Sequence, residues 1–330
     1  MKNLIQVELT RLRWRRAAIV MFLVAIVAPL LIASAVLWET RPISDADIAD
    51  AKQEAEQSAA MWRDNYERCV SHPEDFDQAP GDDLAQRCQE WTGYSPDQTM
   101  DWRDWIYRPA LDLKAQIDES GSAIAAILVI AAVLIGTTFV GADWASGSMS
   151  NQLLFEPRRR RIWWAKAIAV AVGGAVLSLV GMALYWALLG AGAAWRDLST
   201  PAGLWRDVAG LAGRTAILAA AGAVAGYALT MLFRSTVATL GVVVVITGLS
   251  SLIIGLMPID DPIQWQPTMH ALAFLQDGFT YDFYPTDCYD AGCNGSERTI
   301  SMLRGTLFLG ALVLAAVGAS LTAFRRRDVP

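Results

Sequence analysis

FEPRRRRIWWAK, residues 155–166, runs directly into AIAVAVGGAVLSLVGMALYWALLGAGAAW, residues 167–195, and the second stretch holds 29 residues without one charged side chain. A helix needs about 20 predominantly apolar residues to cross the hydrocarbon core of a bilayer, so the stretch reads as a membrane span. Four consecutive arginines, Arg158 to Arg161, stand at one end of that span with Trp163 and Trp164 beside them. Aromatic rings settle at headgroup level, and short basic segments stay on the cytoplasmic side. The same test applied along the chain finds five more charge-free runs: Ala17–Trp38, Gly121–Ala142, Thr215–Phe233, Ser235–Ile259 and Gly305–Phe324.

With 54% apolar and 18% charged residues among 330, the chain has the composition of a polytopic membrane protein. The expected fold class is all-α, with six transmembrane helices at 17–38, 121–142, 167–195, 208–233, 235–259 and 305–324. Ala33-Ser34-Ala35 resembles a signal-peptide cleavage site, but the run before and around it has 22 residues. A secretory apolar region has about 7 to 15, so a retained helix is expected, kinked at Pro29.

Basic residues orient the spans. With both termini cytoplasmic, the inner segments 1–16, 143–166 and 325–330, together with Arg234, hold 14 basic residues against Glu8, Asp143, Glu156 and Asp328. The outer segments then hold 13 basic and 29 acidic residues, so the net −6 conceals about +10 inside and −16 outside. This is the pattern of a multi-pass plasma-membrane protein with inner N and C termini. No nucleic-acid partner is expected, whereas anionic membrane lipids suit the arginine run.

All four cysteines fall in segments that this topology places outside, where disulfides form. Nearest-neighbour pairing, Cys69–Cys88 and Cys288–Cys293, is the simplest of three connectivities, with free thiols or a metal site as alternatives. No metal is expected, because the two histidines, His72 and His270, lack zinc-like spacing. The outer insert 39–120 carries 20 acidic and 8 basic residues and is long enough for a small helical subdomain. Ser44 with Asp47 is a capping-box start for a helix reaching Cys69. Residues 100–120 are expected to return to the membrane as a helix, and 260–304 form the second outer segment. Trp-Arg-Asp recurs at Trp62, Trp102, Trp195 and Trp205, as expected of amphipathic residues near headgroups. Gly222 and Gly226 match a GxxxG pair, expected to pack helices within one subunit rather than between two.

No Walker-type Gly-Lys pair, no HExxH and no nucleophilic triad spacing occurs. The chain is therefore expected to be no enzyme, with no catalytic residue and no cofactor of its own. A secondary transporter places ionisable groups at mid-membrane, and none of the six runs contains one. Energy for uphill transport must come from another subunit.

The segment Gly141 to Lys166 resembles the cytoplasmic loop of ABC-2 type transporter permeases. An acidic residue, a Gly-Ser pair, two leucines, a proline, an arginine and a lysine recur there in order, matched here by Asp143, Gly147-Ser148, Leu153-Leu154, Pro157, Arg160 and Lys166. Asp143 stands where Glu is commoner. VELTRLRWRR, residues 7–16, is similar to the family's opening interfacial helix, with Glu8, Arg11 and Arg15 in it. The resemblance implies a permease subunit of a bacterial exporter, working as a pair of permeases with a separate ABC ATP-binding subunit that binds ATP and Mg. It implies that Asp143, Gly147, Leu153, Leu154, Phe155, Glu156, Pro157, Arg158, Arg159, Arg160, Arg161 and Lys166 form the coupling loop to that subunit. Trp163 and Trp164 are expected to anchor at the headgroups. Two other classes fit the same residues: a membrane-anchored envelope sensor with an acidic outer domain, and a regulatory or immunity complex that extracts a peptide or lipid.

Overall fold

The computed structural model describes residues 1–81, 83–95, 101–106, 108–257, 259, 261–283 and 295–326. The chain forms two compact units, Val36–Leu111 and the combination of Met1–Ala35 with Asp112–Pro330. Among the described residues, six helices are long and apolar enough to cross a membrane: Arg16–Glu39, Ile117–Ala145, Arg159–Trp195, Leu204–Phe233, Thr236–Gly255 and Met302–Arg326.

The larger unit opens with α1 (Lys2–Arg13) and α2 (Arg16–Glu39). After the insert, which holds α3 (Asp45–Ser71) and α4 (Leu84–Thr92), come α5 (Ser122–Ala145), α6 (Ser148–Phe155), α7 (Arg159–Trp195) and α8 (Leu204–Phe233). The fifth span is not one regular helix: α9 (Thr236–Val244) passes through a π turn at Val245–Leu249 into α10 (Ser250–Gly255). A short α11 (Pro267–Leu275) and an antiparallel hairpin, β1 (Phe279–Phe283) with β2 (Ser296–Ile300), precede the last span, α12 (Met302–Arg326). Buried Asp261 steadies the hairpin by accepting from Tyr281 Oη at 2.6 Å and Arg298 Nη1 at 2.7 Å. Burial, then the bond to Asp261, pushes the Tyr281 phenol up to about 12.

Lipid tails are as apolar as leucine, so close backbone approach rather than the hydrophobic effect drives spans together. The core of the unit, α5 against α7 and α8, is built that way. A Cβ on Gly136 of α5 would lie 2.0 Å from the Ala223 carbonyl oxygen of α8, and one on Gly226 would lie 2.6 Å from that of Val133. The GxxxG pair thus packs inside this chain: Gly222 also faces Val133. By contrast α2, α9–α10 and α12 bury few of their residues, and Val237 and Leu252 are among their exposed apolar side chains.

In the insert, α3 (Asp45–Ser71) starts at the expected capping box: Ser44 Oγ accepts from Asp47 N, and Asp47 Oδ2 accepts from Ser44 N at 2.9 Å. A disulfide joins Cys69 of α3 to Cys88 of α4 (Leu84–Thr92), with Cα atoms 5.8 Å apart and both side chains fully buried. Cys288 and Cys293 lie outside the described residues. The expected helix over 100–120 is not continuous: Trp102–Trp105 is one 3-10 turn, and helix starts only at 115, passing through a π turn at Ile117–Gly121 into α5. Pro109 disfavours helix at Arg108 before it, and Asp112 Oδ1 caps the Lys114 and Ala115 amides, making a turn instead.

Candidate coupling region

Between α5 and α7 the chain turns twice in a short space. Gly147 sits at φ 67°, the left-handed conformation that favours glycine, although a Cβ there would meet nothing within 4 Å. Its role is therefore the turn itself. The helix α6 that follows holds on by Met149, which is fully buried, and by half-buried Leu153. Its tip does the opposite: Leu154 is 80% exposed and Phe155 91%. Pro157 then precedes α7, which begins at Arg159, two turns ahead of the charge-free run, since arginine is a good helix former.

Beneath this tip lies a buried ion cluster. Asp143, at the end of α5, accepts on Oδ1 from Arg11 Nη2 at 2.8 Å, Arg15 Nη2 at 2.5 Å and Ser148 Oγ at 2.9 Å. Its Oδ2 accepts from Lys166 Nζ of α7 at 2.6 Å. The same ammonium reaches Glu8 Oε2 of α1 at 3.0 Å, and Arg11 Nη1 binds both Glu8 oxygens at 3.2 Å. Asp143 and Lys166 are fully buried and Glu8 nearly so, while the arginines stay about a quarter exposed at the rim. Phe139 lies below, its ring 5.1 Å from Lys166 Nζ and 6.0 Å from the Arg15 guanidinium, a cation–π arrangement. Four charges on three helices, Arg15 of the turn after α1 and the first residue of α6 are therefore one unit. Leu12 fixes α1 beside α7, where a Cβ on Gly173 would come within 2.6 Å of it.

A second join ties α7 to the end of α12. Trp163 is fully buried, so its expected place at the headgroups is corrected: its ring packs at 5.2 Å on Tyr227 and its Nε1 donates to Ser320 Oγ at 3.2 Å. Tyr227 Oη donates to the Trp163 carbonyl at 3.0 Å, and Arg159 Nη1 donates to that of Phe324 at 3.0 Å. Trp163 faces the bundle because α7 is already helical there, which turns one tryptophan of the pair inward and leaves Trp164 exposed. Pro157, Arg158 to Arg161 and Arg325 line an open cleft of about 500 Å³, and Glu156 pairs with Arg161 at 3.7 Å.

The structure therefore divides the sequence-predicted coupling residues. Leu154, Phe155 and the arginines are at the surface, whereas Asp143 and Lys166 are inside and join Glu8 and Arg11 of α1 and Arg15 of the turn that follows it. Sequence reasoning named both sets without bringing them together. A signal was available: among so many basic residues on one side, Glu8 and Asp143 are two of only four acids. Tyr227, Ser320 and Phe324 carried no such mark.

A family model described as ABC-2 family transporter protein matches residues 5–329. The chain belongs to the ABC-2 transporter family. Members are membrane subunits that normally work with an ABC ATP-binding subunit, and the ABC-2 match spans the insert as well as the helices. No curated protein and no solved structure matches this ABC-2 chain.

Proposed function

We propose that this chain is the permease subunit of an ABC exporter, paired with a second permease and driven by ATP hydrolysis in a separate nucleotide-binding subunit. The α6 tip carries the reading. Two large apolar side chains, Leu154 and Phe155, stand exposed on a helix rooted by Met149 and by Ser148 in the ion cluster. Exposed apolar groups on a rigid element suit a fitted groove on a partner, where a few anchors carry most of the binding. ATP and Mg belong to that partner.

In this reading the cluster transmits force. A displacement of α6 pulls on Ser148 and Asp143, and Asp143 cannot leave Arg11, Arg15 and Lys166 without stranding buried charge. So α1, α5 and α7 follow α6. The arginine cleft lies beside the docking tip and adds attraction for carboxylates. With α6 and both termini on the ATPase side, that side is cytoplasmic and the acidic insert faces outward.

The test is co-purification of the co-expressed ATP-binding subunit and ATPase activity of the complex in detergent. Leu154→Ala with Phe155→Ala should lose the partner or lower the ATPase activity of the complex while insertion is unchanged, because no span is touched. Arg158→Lys with Arg159→Lys should assemble like the parent. If the Leu154/Phe155 variant assembles and hydrolyses ATP like the parent, α6 is not the coupling helix.

A further inference from the structure

At the corner where α1 turns into α2, a cavity of about 330 Å³ opens toward α5, lined by Leu12, Trp14, Arg15, Arg16, Ile135 and Phe139 among others. Its origin is in the sequence of α2. The buried residues of that helix are Ala18, Ala25, Pro29 and Ala33, all small or rigid, and a Cβ on Gly181 of α7 would lie 2.9 Å from the Ala25 carbonyl oxygen. The α2 backbone thus lies close on α7, and no large side chain fills the groove on the α5 side.

The cavity has an apolar floor and a cationic mouth, with no acidic residue among those lining it. Arg15 uses Nη2 on Asp143, and its Nη1 and Nε have no protein acceptor among the described residues. Arg16 is exposed and makes no ion pair among them. Trp14, 72% exposed, stands at the mouth where the apolar run of α2 begins, the level at which a span meets phospholipid headgroups. Pockets of about 300–1,000 Å³ with apolar walls and a few placed polar groups are the common form of ligand sites. Here the complementary molecule is an amphiphile with a negative head. A soluble phosphate leaves the floor empty, and a zwitterionic lipid leaves Arg16 without net counter-charge.

We propose that this cavity binds one anionic phospholipid, its phosphate on Arg15 and Arg16 and an acyl chain along the Thr138 and Ala142 face of α5. Because Arg15 also holds Asp143, lipid occupancy and the ion cluster share one guanidinium. The site needs no ATPase, so its test is independent of the coupling role of α6.

Native mass spectrometry of the full chain in detergent, titrated with phosphatidylglycerol or phosphatidylcholine, reads the site directly. The parent should hold one phosphatidylglycerol in preference to phosphatidylcholine. Arg16→Gln should weaken phosphatidylglycerol about fivefold, the effect of one basic side chain at a membrane surface, and weaken phosphatidylcholine less. Ala142→Leu, which fills the groove, should weaken both, and Arg158→Gln with Arg160→Gln should leave the tight lipid bound. Arg16 is exposed and makes no side-chain hydrogen bond or ion pair among the described residues, so its variant decides the matter even if Ala142→Leu misfolds. The proposal is overturned if Arg16→Gln stays within twofold of the parent, if only the Arg158/Arg160 variant loses the tight lipid, or if millimolar inorganic phosphate displaces it.

Discussion

Two aspartates, one in each unit, are each gripped by a pair of arginines. Asp47 accepts from Arg108 at 2.8 and 2.9 Å and from Arg41 at 3.2 Å, and it also caps α3. Asp143 accepts from Arg11 and Arg15 at similar distances and from Lys166 besides. What differs is the surroundings: 19% of the Asp47 side chain is exposed and none of Asp143. A pair that water still reaches is partly screened by salt and adds less, so the insert depends more on its disulfide. A buried pair is not screened, and losing one partner leaves the others charged in an apolar place. The same chemistry is a minor clamp in one unit and a rigid joint in the other.

Breaking the joint should have the largest effect. Asp143→Leu leaves Lys166, Arg11 and Arg15 facing Glu8 alone and should destabilise the membrane unit by about 3–5 kcal/mol, seen as a lower melting temperature by size exclusion in detergent and faster tryptic cleavage within α1. Melting like the parent would mean that the cluster does not bind these helices together.

Next in size is the staple of the insert. Replacing Cys69 and Cys88 with Ser should cost about 3 kcal/mol by loop entropy, confined to that unit: hydrogen exchange should quicken in α3 and α4 and stay constant in α5 to α8. Equal quickening in both would merge the two units into one cooperative block.

Gly147→Ala forces a Cβ into the left-handed region, which costs about 1 kcal/mol, and should reduce ATP-driven transport more than it lowers the melting temperature. A loss equal in both would make Gly147 a structural turn only.

The smallest effect should be Asp47→Asn. Hydrogen bonds from Arg108 first, then from Ser44, hold the Asp47 carboxyl well below the usual carboxylate range. A lowered folded pKa stabilises above the unfolded value of about 4 and is lost as pH falls through the folded one. The insert of the parent should therefore be slightly more stable than that of the variant at pH 7, and the gap should shrink progressively below about pH 4. It should also shrink in high salt. A gap that widens in acid would contradict the assignment.

Much of this protein is legible in one dimension. A span is a run of apolar residues long enough to cross a bilayer, and a capping box is two residues three apart, so six helices and the start of α3 could be read directly. The pairing of Cys69 with Cys88 followed from proximity in sequence, and the family followed from an ordered motif. Local signals also misled where a local competitor was strong: Pro109 and Asp112 replaced the expected helix before the second span with a turn.

What sequence order could not supply is which side chains meet. Glu8, Asp143 and Lys166 come from three helices, and their joining depends on how α1 lies on α7 and how closely α5 and α8 approach at Gly136 and Gly226. Trp163 was assigned to the headgroups by its neighbours, and only the rotation of α7 turned it toward Tyr227 and Ser320. The chain by itself determined which segments leave water, because hydropathy is a sum over consecutive residues. Tertiary structure decided which charges could enter the membrane unit with them, because a buried charge is tolerated only beside a partner that distance, not sequence, provides.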